Sequence, residues 1–211
     1  MAIDIEYQLQ RHGWARFALI DGPRRFEGRS SYMGDPIGEL ARAALWWATG
    51  EGPAYVGFVY EPGTIVCRAT CEGDQIRIVS RDYRDGMSNF AKCFESKKDI
   101  KSSLFEATES RYVFICKICE LLDRRWKQYG CSGYAWKWQG NQFPVGTLLS
   151  LRLLTDSAPE ADRLRERLRS GGWSGPQEID LLMAPMRSDA TKVGWRALQH
   201  LRDCRASVDE T

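Results

Sequence analysis

Polar and apolar residues alternate at the start of the chain, with Ile3, Ile5, Tyr7 and Leu9 set against Asp4, Glu6, Gln8 and Gln10, which is the period of a strand with one wet face. His12-Gly13 marks a turn, Trp14 to Ile20 returns as a second strand, and Asp21-Gly22-Pro23 ends it. The period then fades, and RRFEGRSSYMG, Arg24 to Gly34, reads as a polar connection. From Asp35 to Gly50 the spacing becomes helical. Ile37, Leu40, Ala41, Ala44, Leu45 and Ala48 fall on one stripe, narrowed by alanines so that a sheet can approach closely. Asp35 is placed to accept from the free amides of the first turn, Pro36 stands where no N–H is needed, and Gly50 is placed to stop the helix.

Strand periods resume after this helix. Tyr55 to Tyr60 is almost wholly apolar and reads as a central strand, closed by the turn Glu61-Pro62-Gly63. Ile65, Cys67, Ala69 and Cys71 alternate inward against Val66, Arg68, Thr70 and Glu72, and Gly73-Asp74 turns the chain onto Gln75 to Ser80. From Arg81 to Ser103 the pattern breaks into surface, with a short helix around Phe90 to Phe94, before a last strand at Leu104 to Thr108. Ser110 then opens a long helix to about Tyr129, with Ile115, Ile118, Cys119, Leu122 and Trp126 on its buried stripe, polar residues opposite, and Gly130 as its stop. Cys131 to Gly146 is rich in aromatics and glycines and shows neither period, and Pro144 starts a leucine-rich helix through Leu154.

These elements predict an α+β protein: an antiparallel sheet of about five or six strands with the two main helices on one face. That domain covers residues 1–155, and 156–211 reads as a mostly helical appendage ending in a polar tail. The appendage contains a very polar helix, ADRLRERLRSGG, a strand at Glu178 to Ala184 and a helix marked by Val193, Ala197, Leu198 and Leu201.

Charge and composition narrow the function classes. The 211 residues carry a formal net charge of +2, which disfavours a dedicated nucleic-acid binder. No apolar run is long enough to span a bilayer and no signal peptide precedes the first strand, so a cytoplasmic protein is expected. Seven cysteines, an odd number scattered along the chain, suit reduced thiols better than a disulfide framework.

Chemistry-bearing residues are few. Cys116 and Cys119 form a C-x-x-C pair, and Cys67 and Cys71 share a strand face, so the four offer an alternative reading as a thiolate zinc site. The pair lies mid-helix among apolar residues, away from the helix N-terminus that would activate a redox thiol, which favours structural thiols with no metal and no cofactor. His12 and His200 are the two imidazoles, and neither has a serine elbow or carboxylate pattern beside it. Gly50-Glu51-Gly52-Pro53 lacks the spacing of a phosphate loop. Trp46-Trp47 and the cluster Tyr134, Trp136, Trp138 and Phe143 read either as core or as a binding surface, since Trp, Tyr and Arg are the residues enriched at interface hot spots. On the binding reading, Tyr134, Trp136 and Trp138 with Arg124 and Arg125 are the candidate partner-contacting residues.

The run SSYMGDPIGELARAAL, the YEPG at Tyr60 to Gly63, the GYAWKW stretch and Phe143-Pro144 resemble a pattern of small uncharacterised bacterial proteins that include immunity proteins of polymorphic or contact-dependent toxins. The resemblance covers Ile3 to Leu154. It implies an intracellular binder that masks a toxin domain and carries over no catalytic position. The expected function is thus a non-catalytic protein that inhibits a protein partner. A small enzyme or ligand-binding domain with a cleft beside the sheet is the alternative, and a nucleic-acid-interacting regulator is a second one.

Overall fold

The computed structural model describes residues 3–48, 52–84, 89–96 and 100–156. Two antiparallel meanders flank one helix in sequence. β1 (Asp4–Leu9), β2 (Trp14–Asp21) and β3 (Arg24–Ser31) form a three-stranded sheet in chain order, and α1 (Pro36–Ala48) follows it. β4 (Ala54–Tyr60), β5 (Gly63–Glu72), β6 (Gln75–Tyr83) and β7 (Ile100–Ser110) form a four-stranded sheet, again in chain order, with α2 (Phe90–Ser96) between β6 and β7. α3 (Arg111–Lys137) and α4 (Val145–Asp156) complete the described elements. The α+β class and the antiparallel pairing are as the sequence pattern predicts. The strands are divided between two sheets rather than gathered in one, because β3 and β4 run alongside each other without sharing a ladder. The helix stop at Gly50 lies outside the described residues, as does the appendage expected over 156–211 from residue 157 onward.

Both sheets turn apolar faces to a common core with α1 and α3. Ile3, Ile5, Tyr7 and Leu9 are buried along β1 as the alternation predicts. Phe17 of β2 stacks on Phe58 of β4 at 3.5 Å between ring centroids, which joins the two sheets. On α1, Ile37, Leu40, Ala41 and Ala44 are buried, Leu45 and Ala48 are half-buried, and Trp47 joins the core against Phe114 of α3, with ring centroids 5.9 Å apart. A space of about 30 Å³ among Leu40, Trp47, Phe58, Ile78 and Phe114 is walled almost wholly by apolar side chains and offers a water no set of partners. The α1 cap forms as expected: Asp35 Oδ1 accepts from the Gly38 N–H at 3.1 Å, and the Asp35 carbonyl accepts from the Glu39 N–H at 2.8 Å.

Four local readings are corrected. Arg24 to Ser31 is a strand, β3, and not a connection: Phe26 and Ser30 turn inward, while outward Arg25 pairs with Glu6 and Glu27, and Glu27 with Arg16. A wet face built of cross-strand ion pairs hides a strand from any hydrophobic count. Tyr55 to Tyr60 belongs to β4, which among the described residues stands at the edge of its sheet rather than at its centre; it is apolar on both sides because both faces are covered. Third, the Arg81 to Ser103 stretch is more than surface. α2 lies on the outer face of the second sheet and buries Cys93 and Phe94 against Val66 and Tyr83, with Tyr55, Val79, Phe90 and Ile100 around them. Arg81 stands 4.3 Å over the Phe94 ring and donates to the Phe94 carbonyl at 3.1 Å. The close approach of Phe90 requires Gly57, since a Cβ there would stand 2.1 Å from the ring. Fourth, Gly130 breaks α3 with φ 64° and ψ −179°, but the chain resumes a helix through Lys137, where no period was evident. Ser110 occupies the N-cap position of α3 without a capping bond, and the Arg111 N–H donates instead to the Asp74 carbonyl at 2.8 Å.

Charged side chains occupy the open backbone groups of the sheet edges. Lys117 Nζ donates to the Ile3 carbonyl at 2.7 Å, Arg24 Nη1 to the Glu106 carbonyl at 3.2 Å, and Glu39 Oε2 accepts from the Gly57 N–H at 2.7 Å. Such plugs discourage edge-to-edge pairing.

Candidate functional site

The aromatic cluster near the end of α3 divides once it folds. Tyr134 and Trp138 are one helical turn apart and share an inward face; both are fully buried and so belong to the core rather than to a contact surface. Trp138 Nε1 donates to the Gly34 carbonyl at 3.1 Å, and its ring meets Tyr7 edge-on at 6.3 Å. Tyr134 meets Phe143 edge-on at 5.3 Å. Trp136 points the other way and is 83 % exposed. Arg124 is exposed, whereas Arg125 is half-buried and donates to Gln128. Arg125 also lines a recess of about 240 Å³ with Glu6, Gln8, Arg16 and Arg25. Of the five residues expected to meet a partner, Trp136 and Arg124 stand in solvent. The i, i+4 spacing of Tyr134 and Trp138 was the signal that separates them from Trp136.

The hydroxyls of Tyr7 and Tyr134 are buried without a well-formed hydrogen bond. Burial raises the pKa of both, and the nearby Asp35 carboxylate raises them further, so both stay protonated.

The cysteines keep the placement of core thiols. Cys67 Sγ lies 2.9 Å from Ser80 Oγ, and burial pushes its pKa up to about 12. Burial also raises the Cys71 thiol, whose Sγ is 3.9 Å from the Trp47 carbonyl. Cys119 is buried and Cys116 half-buried on α3. Among the described residues no group of three or more His, Cys, Asp or Glu side chains converges as a metal site, so Cys67, Cys71, Cys116 and Cys119 do not meet as one. His12 is exposed in its turn, and His200 lies outside the described residues.

A second surface was not anticipated. Glu39, Arg42, Ala43 and Trp46 follow one another at helical spacing along a second stripe of α1, and with Pro53, Ala54 and Tyr55 at the start of β4 they line an open groove of about 310 Å³. That volume lies at the lower end of the range of ligand clefts. Trp46 is 49 % exposed in it, while its neighbour Trp47 is core. Arg42 is exposed, with Asp35 as an ion-pair partner at the long distance of 3.7 Å. Glu39 is half-buried, and burial raises its pKa to about 7 against the opposing pull of the Gly57 N–H and of Arg42. Burial raises Asp35 as well. The stripe was visible in the sequence as a second i, i+4, i+7 set, but only the edge position of β4 turns it into a groove.

Compared with protein-family models, curated proteins and solved structures, the chain matches none. Among the described residues no helix is long and apolar enough to cross a membrane.

Proposed function

We propose that this protein is a non-catalytic, cytoplasmic binder that inhibits a partner protein, of the immunity or antitoxin type, with a toxin domain as the partner. The observation that carries the reading is Trp136: a large indole held 83 % in solvent by a segment whose other face is pinned in the core through Trp138 and Tyr134. A rigidly presented aromatic loses little entropy on contact and is the kind of anchor in which interface affinity concentrates. Arg124, also exposed, adds a cation on the part of α3 that precedes the break at Gly130. The test is co-purification from the source cell with identification of the genes next to this one. A toxin-domain partner whose complex weakens at least about fivefold with Trp136→Ala, corresponding to about 1 kcal/mol, supports the proposal. Absence of any protein partner, with a small metabolite retained instead, would move the reading to a ligand-binding domain or enzyme. Glu39, titrating near neutrality beside the groove, favours that second reading. Steeply salt-dependent binding to DNA or RNA would favour a nucleic-acid regulator.

A further inference from the structure

We infer that the recess on the wet face of the first sheet binds a phosphate group, free or carried by a small monoester, with Arg125 as its principal ligand. This site lies apart from Trp136 and does not depend on the protein-binding reading above.

The recess follows from the register of β1 and β2. Glu6 and Gln8 alternate outward on β1 and stand opposite Ala18 and Arg16 of β2. A methyl group among long charged side chains leaves a hollow above it, and Ala18 is its floor. Arg25 of β3 and Arg125 of α3 complete the lining of a space of about 240 Å³. A phosphate group fits there with room for a short ester substituent.

The charges around the hollow do not balance. Arg16 pairs with Glu27, and Arg25 with Glu6 and Glu27, so these two cations share two carboxylates. The pairing holds both carboxyls below their ordinary pKa, with Arg25 the main cause for Glu6 and Arg16 for Glu27. Arg125 is the cation in excess. It is half-buried, its Nη1 donates to the neutral side-chain carbonyl of Gln128, and its Nε is buried without an acceptor. A guanidinium drawn out of water with a donor unmet is stabilised by an anion that accepts from it. Tyr7 also lines the recess, and its hydroxyl is a second buried donor without a partner. Arg29 of β3 stands directly opposite Arg16, a juxtaposition of like charges that adds to the positive field.

The donors converge from two elements. Arg16 meets Glu27 through Nη2, which leaves its other nitrogens to donate, and the Gln8 amide stands across from it. An acceptor met by Arg125, Arg16 and Gln8 together needs several oxygens at different angles. A tetrahedral phosphate supplies them, and its second negative charge answers the field of Arg29; a planar carboxylate supplies two oxygens and one charge.

The probes are sodium phosphate and glycerol phosphate, titrated into the isotopically labelled full chain at constant ionic strength and followed by NMR. The expected result is saturable shifts of the Gln8 and Ala18 amides and of the Arg125 Nε–H. Tighter binding of glycerol phosphate assigns the site to a monoester, and tighter binding of phosphate to the free ion. Arg125→Gln should weaken binding by about tenfold or more, while Arg77→Gln on the other sheet leaves it unchanged. Ala18→Leu fills the floor and keeps every arginine, so it should weaken binding as much and tests the site independently of how Arg125→Gln folds. Shifts that rise linearly without saturation, acetate bound as tightly as phosphate, or binding indifferent to both Arg125→Gln and Ala18→Leu would overturn the inference.

Discussion

Replacing Glu39 by Gln tests the energetic cost of the carboxylate that holds the edge of β4. Burial raises its pKa from 4.5 to about 7, so between these values the folded chain keeps a proton that the unfolded chain has released. The sign follows from the linkage: the group's contribution is fully present below about pH 4.5, declines as pH rises, and is lost above about pH 7. Each pKa unit corresponds to about 1.4 kcal/mol, which puts the decline at no more than on the order of 3 kcal/mol for this half-buried group. Glutamine keeps a carbonyl for the Gly57 N–H and carries no charge. Urea unfolding followed by tryptophan fluorescence, at intervals from pH 4.5 to pH 8, should show wild-type stability falling across that window and the Gln variant falling less. At pH 8 the variant should be the more stable by roughly 1–3 kcal/mol. Asp35, whose pKa is also raised by burial, adds a decline of the same sign in both proteins, and its charge also raises Glu39, so their coupling is part of the difference between them. Identical pH profiles, or a Gln variant less stable than wild type at pH 8, would refute the burial argument.

Three other perturbations probe the packing. Leu40→Ala removes a buried side chain of α1 beside the common core and is expected to cost about 2–5 kcal/mol in denaturant unfolding; an unchanged midpoint would contradict the central place given to α1. Gly57→Ala drives a Cβ into the Phe90 ring and should cost about 1–3 kcal/mol, with a loss of hydrogen-exchange protection concentrated in α2. Trp136→Ala should change stability by less than about 0.5 kcal/mol, while Trp138→Ala should cost about 3–5 kcal/mol, and similar values for the two would show that the cluster had been divided wrongly.

Legibility in the sequence varied with how each residue is made to fit. Strand β1 and helix α1 were readable because one face is wet and the other dry, so polarity reports orientation directly. β3 was hidden by its ion pairs, since Arg25, Glu27 and Arg16 make a strand face as polar as any loop. The second core was hidden for the opposite reason: an all-apolar β4 suggests burial between neighbouring strands, and nothing local says that α2 provides the cover instead. The aromatic cluster was visible but its sidedness was not, because the helix that separates Trp136 from Trp138 begins only after the break at Gly130. The groove depends on a long-range fact, that α1 lies beside the start of β4, which no local period encodes.

The order of the strands has a kinetic consequence. Among the described residues every ladder pairs neighbours in sequence, and in most cases a short turn joins them, so each meander can close by local steps with small loop-closure cost. What joins the two meanders is non-local: the Phe17–Phe58 stack, the contact of Ile3 with Glu109, and α3 laid against β1. Folding is thus expected to proceed as formation of two sheets followed by their docking. Truncations such as Phe58→Ala would then mainly speed unfolding, while changes at the Gly73-Asp74 turn would slow folding itself.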